Sequence, residues 1–198
     1  MIPFKIIHTR EVVEAAIDIM SREKTIEWNI AQALVAAFLH DIGRFPQAQQ
    51  SSSFSDEHSK VDHGDLGAEL FTKAKLGTLG QWNIDPQVIK ESIKLHNKYE
   101  YTGENEYVKL TRDSDKLAIF RYVDEIYKRF PEIPGKVSKE CLDEFLAGKV
   151  VNTKHNKTTA DYLINMLSWK NDLCFKSTIE ICAEEQILEG LLSRIRVS

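Results

Sequence analysis

Residues 36–44 read Ala-Ala-Phe-Leu-His-Asp-Ile-Gly-Arg, an apolar helical segment that delivers His40 and Asp41 side by side and stops at Gly43 and Arg44. An apolar helix has no packing reason to carry an imidazole and a carboxylate together at its inner end. A bound metal ion supplies one. The pattern around this run predicts a helix from about Trp28 to Asp41. Ile30, Leu34, Val35, Phe38 and Ile42 recur at three- and four-residue steps, and Gly43 fits a helix C-cap.

Outward from this run, helical periodicity dominates and alternating strand patterns are scarce, with only 9 glycines and 5 prolines in 198 residues, so the chain reads as all-α. A first helix is expected over about Thr9 to Arg22. Its stripe is Val12, Val13, Ala16, Ile17, Ile19 and Met20, with His8 in line with Val12 and Ala15. Residues 44–61, rich in Gln and Ser and without a period, read as a long surface loop that leaves directly from the His-Asp pair. Loops of that length are often lids or binding loops. A helix follows over about His63 to Leu76, then one capped by Asp85 with Pro86 in its first turn, on which His96 is in register with Ile89 and Ile93. A long helix is expected from about Tyr107 to Phe130, ended by Pro131, with Asp115 heading the stripe Ile119, Tyr122 and Ile126. Beyond it, Ser138 can cap a short helix, Thr158 and Asp161 form a capping box, and a last helix spans about Asp172 to Arg194. We expect one all-α domain. Residues 4–130 would be its core, and 131–198 additional helices packed on it that shape the pocket or a homo-oligomer contact.

Composition narrows the function. The net charge of −4 gives no reason to expect a nucleic-acid polymer or an acidic membrane surface as partner. No apolar run approaches the roughly 18 residues that span a bilayer, and no leader-like apolar segment opens the chain. Cys141, Cys174 and Cys182 are widely spaced and odd in number, which suits reduced thiols in a cytoplasmic protein.

Six polar residues are expected to point inward: His8, His40, Asp41, His63, His96 and Asp115, which include four of the six histidines. They lie on five helices or helix ends, which is how helical bundles build metal sites. Each has a bland alternative. A lone histidine such as His96 is more often a satisfied core residue, and Asp115 could pair with Arg112 or Lys116. His58 and His155 sit in polar segments and read as solvated. The joint pattern carries the weight. Imidazoles and carboxylates without cysteine suit one or two divalent ions of the Mn, Fe, Co, Ni, Zn or Mg kind. A carboxylate beside a histidine can bridge two ions, and two ions can clamp the oxygens of a phosphoryl displacement.

These motifs resemble the HD superfamily of metal-dependent phosphohydrolases. The matching stretches are HTREVVEAA from His8, AAFLHDIGRF around His40-Asp41, VDHGDLGAELF around His63, IKLHN at His96 and RDSDKLAIFR around Asp115. The resemblance implies an all-α bundle around a metal site. It implies one ion held by His8, His40, Asp41 and Asp115, and a second held by Asp41, His63 and His96. It also implies hydrolysis of a phosphomonoester or phosphodiester, of a nucleotide or other small phosphorylated metabolite, by a metal-bound hydroxide on Asp41's ions. Arg44 stands where many members carry a basic residue after the signature and is expected to contact substrate phosphate, with Lys94 and Lys98 as weaker candidates. Asn97 replaces the second histidine of the cyclic-dinucleotide phosphodiesterases, and their Gly-Tyr-Pro signature is missing. Arg44 also replaces the glutamate of the single-metal nucleotidases. No general acid is evident, because arginine is too basic to serve. A regulatory domain that binds a nucleotide without turnover, and a di-iron oxygenase of HD type, remain as competing functions.

Overall fold

A computed structural model of the chain describes residues 2–52, 56–74, 79–123 and 132–195, and all the regular structure among them is helical. Eleven α-helices are described: α1 (Ile2–Arg22), α2 (Ile30–Leu39), α3 (Arg44–Ser51), α4 (Asp56–Ser59), α5 (His63–Lys73), α6 (Pro86–Leu95), α7 (Glu106–Arg121), α8 (Lys139–Leu146), α9 (Thr159–Ser168), α10 (Lys176–Glu184) and α11 (Ile187–Ile195). Two compact units divide the chain within α7, at Asp115 and Lys116. No described helix is long and apolar enough to cross a membrane.

In the first unit α2 packs on α1 and α6, and α5 packs on α6 and α3. Its core gathers Ala36, Ala68, Phe71, Ile84, Ile89 and Ile93. On α1 the buried stripe is Val12, Ala15, Ala16, Ile19 and Met20, with His8 one turn before it, while Ile17 is exposed. The face of α2 matches the sequence expectation only in part, with Val35 and Ile42 packed against the core. Its buried positions are Gln32, Ala33, Ala36 and Ala37, whereas Ile30 and Phe38 are largely exposed. The small side chains let neighbouring helices approach closely, so volume rather than hydrophobicity chooses the inner face.

Residues 44–61 are not one long loop. The backbone turns at His40-Asp41, with Arg44 N–H donating to the Asp41 carbonyl at 2.9 Å, and winds straight into α3; α4 begins at Asp56. Gly43 is therefore no left-handed C-cap: its φ is −69° and it starts α3. What requires glycine there is space. A methyl would lie 2.7 Å from the Gly67 amide nitrogen and closer still to the His63 carbonyl oxygen. Asn29, Asp62 and Asp85 cap α2, α5 and α6 by accepting from backbone amides. The expected helix end at Leu76 and the stretch from residue 124 to Pro131 lie outside the described residues.

In the second unit α9 packs on α8 and α11. Thr158 and Asp161 form the expected capping box. Asp161 also accepts from the Ser138 amide at 2.7 Å, so the α8 start is held by a neighbouring carboxylate rather than by the Ser138 hydroxyl. The single last helix expected over 172–194 is two, α10 and α11, broken at Gln186, whose φ is +53°.

Candidate metal centre

The first unit assembles the site from the ends of its helices. His8 comes from α1, His40 and Asp41 from the residues just past α2, His63 from the first residue of α5, His96 from just past α6, and Asp115 from α7. His8, His40, Asp41, His63 and His96 are all buried; Asp115 is half-buried. Two helices, α2 and α6, thus end at the cluster. The partial negative charge of their C-termini adds to the two carboxylates in favouring a cation.

The Asp41 carboxylate divides the histidines. Oδ2 faces His8 Nε2 at 3.8 Å and His40 Nε2 at 3.6 Å. Oδ1 faces His63 Nε2 at 3.2 Å and His96 Nε2 at 3.7 Å. Asp115 Oδ1 joins the first group, 3.0 Å from His8 Nε2 and 3.8 Å from His40 Nε2.

The other ring nitrogens decide what these atoms offer. His40 Nδ1–H donates to the Ala37 carbonyl at 2.7 Å, and His96 Nδ1–H to the Ile93 carbonyl at 2.8 Å, so both rings return a bond three residues back from a helix end. His63 Nδ1–H donates to Asp56 at 2.8 Å. With Nδ1 protonated, each Nε2 carries a lone pair toward the cluster. His40 Nε2 is buried with no hydrogen-bond partner. His63 Nε2 and His96 Nε2 stand 3.0 Å apart, a contact that needs a proton or another cation between two lone pairs. A buried orphan acceptor and a facing acceptor pair are costly by themselves and are satisfied together by divalent metal. The residues present fit such ions, and the donors fall into compatible groups: His8, His40 and Asp41; Asp41, His63 and His96; His40, His96 and Asp115.

Charge tuning agrees at His40 and the two carboxylates. Burial pushes His40 down to about 4, which keeps it neutral and able to donate a lone pair. Burial alone would raise Asp41, but His40, Lys5 and its contacts with the His63 and His96 rings outweigh it and hold the carboxyl well below the usual range. Burial likewise opposes the ionised form of Asp115, and His8 and His40 overcome it. His63 runs the other way: burial lowers it, but its bonds to Asp41 and Asp56 prevail and raise it, so an ion at its Nε2 would take the place of a proton there.

Residues 6–119 match the family described as HD domain. The chain belongs to the HD domain family. Searches of curated proteins and of solved structures give no significant match. The HD match covers more than half of the chain and includes all six expected ligands. The family is one of metal-dependent phosphohydrolases, and the buried His/Asp clusters are compatible with its metal site.

Arg44 lies beside the HD pair. Its Nε is 3.5 Å from Asp41 Oδ1, and its guanidinium donates to Asp56 at 2.8 Å and to Gln47 at 3.1 Å. Lys98 pairs with Asp62 at 2.7 Å and with Asp65 at 3.2 Å, and exposed Lys94 stands 3.8 Å from Asp65. The structure thus places Arg44 at the cluster and both lysines on the acidic residues of α5's first turn. The alternative partners for Asp115 are otherwise occupied. Arg112 donates to the carbonyls of Leu95, His96 and Lys98, and Lys116 pairs with Asp172.

Three residues were not visible from the sequence. Lys5 Nζ lies 2.5 Å from Asp41 Oδ2, one helical turn before His8, and that spacing was the available signal. Asp56 and Gln47 sit in the segment read as loop, where no periodicity marked them.

Proposed function

We propose that this HD protein is a metal-dependent phosphohydrolase acting on a phosphomonoester or phosphodiester of a nucleotide or other small phosphorylated metabolite. The supporting observation is the division of Asp41: one carboxylate oxygen for His8 and His40, the other for His63 and His96. His8, His40, Asp41 and Asp115 would hold one divalent ion, and Asp41, His63 and His96 a second. Ions bound there supply Lewis acidity toward phosphoryl oxygens and an ionised water as nucleophile.

The chain's own residues do the remainder. Asp41 keeps the two halves in register through a single carboxylate. The helix-end carbonyls behind His40 and His96 lock the tautomer that faces inward. Burial of the cluster excludes bulk water and strengthens every charge interaction in it. Of the three sequence-nominated cations, Arg44 is the one at the cluster. Its planar guanidinium suits phosphate oxygens, so it carries the substrate contact, with Lys94 and Lys98 further out. Reduced thiols at Cys141, Cys174 and Cys182 suit a cytoplasmic setting.

The test is metal content of the purified protein combined with phosphate release from a panel of nucleotides and sugar phosphates in Mn, Co or Ni. Metal-dependent release that Asp41→Asn abolishes is expected. Tight nucleotide binding with no release under any metal would replace this reading with a sensor. Oxygen consumption by an iron-loaded sample would replace it with an oxygenase.

A further inference from the structure

Asp56 opens α4, a helix of only four residues, in the segment where sequence periodicity is silent. Its carboxylate collects donors from four side chains. His63 Nδ1–H reaches Oδ2 at 2.8 Å and Oδ1 at 2.9 Å. Arg44 donates at 2.8 Å, the Gln47 amide at 2.6 Å and the Asn97 amide at 3.4 Å. Gln47 is fully buried and its amide also bonds the Val61 carbonyl at 2.8 Å and Ser59 Oγ at 3.0 Å. The segment after the HD pair is therefore anchored by polar bonds that converge on Asp56. That anchor touches both a candidate ligand of the second ion and the candidate phosphate contact.

We propose that Asp56 is a positioning residue of the metal centre: it holds His63 with Nδ1 protonated and Nε2 aimed at Asp41 and His96, and it steadies Arg44 at the rim, so that the His63 half of the site can take an ion. The inference rests on the two-ion reading given above. The physical basis is the usual support of a ligating imidazole. A carboxylate on the far nitrogen fixes the tautomer, stops ring rotation and makes the near nitrogen a better donor, and losing it commonly weakens metal binding 10–100-fold. Asp56 is better placed for this than a backbone carbonyl. Both its oxygens lie within 2.9 Å of His63 Nδ1, whereas His40 and His96 have one carbonyl each.

The experiment has two arms on the full chain. In the first, Mn(II) is titrated into wild type, Asp56→Ala, Asp56→Asn and His63→Ala, and bound ions are counted and their affinities measured. Wild type should bind two ions. Asp56→Ala should bind the weaker ion roughly 10–100-fold less tightly, leave the other within twofold, and behave like a partial His63→Ala. Asp56→Asn, which keeps an oxygen acceptor, should fall between. In the second arm, nitrogen NMR of the metal-free protein at mildly alkaline pH should show His63 protonated at Nδ1 in wild type and shifted toward the other tautomer in Asp56→Ala. Unchanged affinity for both ions in Asp56→Ala overturns the proposal. So does equal loss of both ions, or an unmoved His63 tautomer. A wild-type ratio of one ion overturns the two-ion reading instead, and the NMR arm still decides the role of Asp56 by itself.

Discussion

Gly43→Ala would place a single methyl against the metal centre. The residue follows the HD pair by two positions, and its φ of −69° is open to any amino acid, so backbone strain plays no part. Space decides. The new Cβ would lie 2.7 Å from Gly67 N and 3.0 Å from the His63 carbonyl carbon, where carbon contacts settle near 3.5–4.0 Å. Both atoms are backbone of α5, so no side chain can rotate away. The His63 carbonyl oxygen lies closer still, so relief requires α5 and the His40–Arg44 turn to part by about 1 Å or more, beyond the ~0.5 Å within which a preorganised site stays productive. His63 is the first residue of α5, so the shift acts directly on its 3.2 Å approach to Asp41. Overpacking of this kind costs about 1–3 kcal/mol. At roughly 2–4 °C per kcal/mol for a chain of this size, the melting temperature should fall by about 2–12 °C. Binding of the second ion should weaken at least ~10-fold, which is the effect of about 1.4 kcal/mol. Thermal melts and Mn(II) titrations read both. The control is Gly190→Ala on the exposed side of α11, where no atom lies within 4 Å. It should raise stability by about 0.5–1 kcal/mol. A Gly43→Ala protein that melts and binds metal like wild type would refute the argument that the turn and α5 are in obligatory contact.

Other substitutions probe separate parts. Lys5→Gln removes an ammonium 2.5 Å from the Asp41 oxygen that faces His8 and His40. Metal affinity should rise at least ~10-fold, since opposed charges at such range interact by several kcal/mol even at an effective dielectric of ~20, and unchanged binding by calorimetry would count against competition between Lys5 and the ion. Arg112→Met strips three carbonyls at the buried end of α6 of their donor and should cost about 3 kcal/mol or more in urea unfolding. Arg112→Lys should not restore it, because an ammonium lacks the fork that spans the three acceptors. Asp161 tests the second unit. Burial would raise its carboxyl, but the amides of Ser138, Lys157 and Thr158 outweigh that and lower it. A carboxyl lowered in the folded state adds stability above the unfolded value of about 3.9, and that stability is lost as pH falls through the folded value. Asp161→Asn should therefore melt lower than wild type at neutral pH, with the gap closing below about pH 4; a gap independent of pH would contradict the assignment.

The six cluster residues were legible because His8, His63 and Asp115 sit on helices and His40, Asp41 and His96 follow one within two residues. His8 falls in line with Val12 and Ala15, and His96 follows Ile89 and Ile93 at four- and three-residue steps, so the period that sets the core also aims the imidazole. On α2 the same reasoning held only in part, since Val35 and Ile42 pack against the core but Ile30 and Phe38 do not. Bulky Ile30 and Phe38 drew the inner face to themselves, yet the fully buried residues are Gln32, Ala33, Ala36 and Ala37. Periodicity counts hydrophobic mass, whereas a crowded helix junction selects for small volume. Gly43, Gly64 and Gly67 report the same crowding, each with a hypothetical Cβ inside 3 Å of a neighbour. A segment rich in alanine and glycine beside polar ligands is the better marker of the inner face here.

Residues 44–61 were misread for a related reason. An apolar stripe is one way to fix a segment, and it is the way that leaves a period. The alternative is a few buried, multiply bonded polar groups, and these have no period because one residue can secure a whole turn. Gln47 makes bonds to Arg44, Asp56, Ser59 and Val61, and Asp56 draws in His63, Arg44, Gln47 and Asn97. Such a network is strong only when complete, since a half-satisfied buried carboxylate or amide costs more than an apolar side chain in its place. It therefore ties the geometry of the segment to the occupancy of its hub. The carboxylate that ties α3 to α4 is thus the one that holds His63, so under the two-ion reading a change at Asp56 should be felt both at the Arg44 turn and at the His63 side of the cluster.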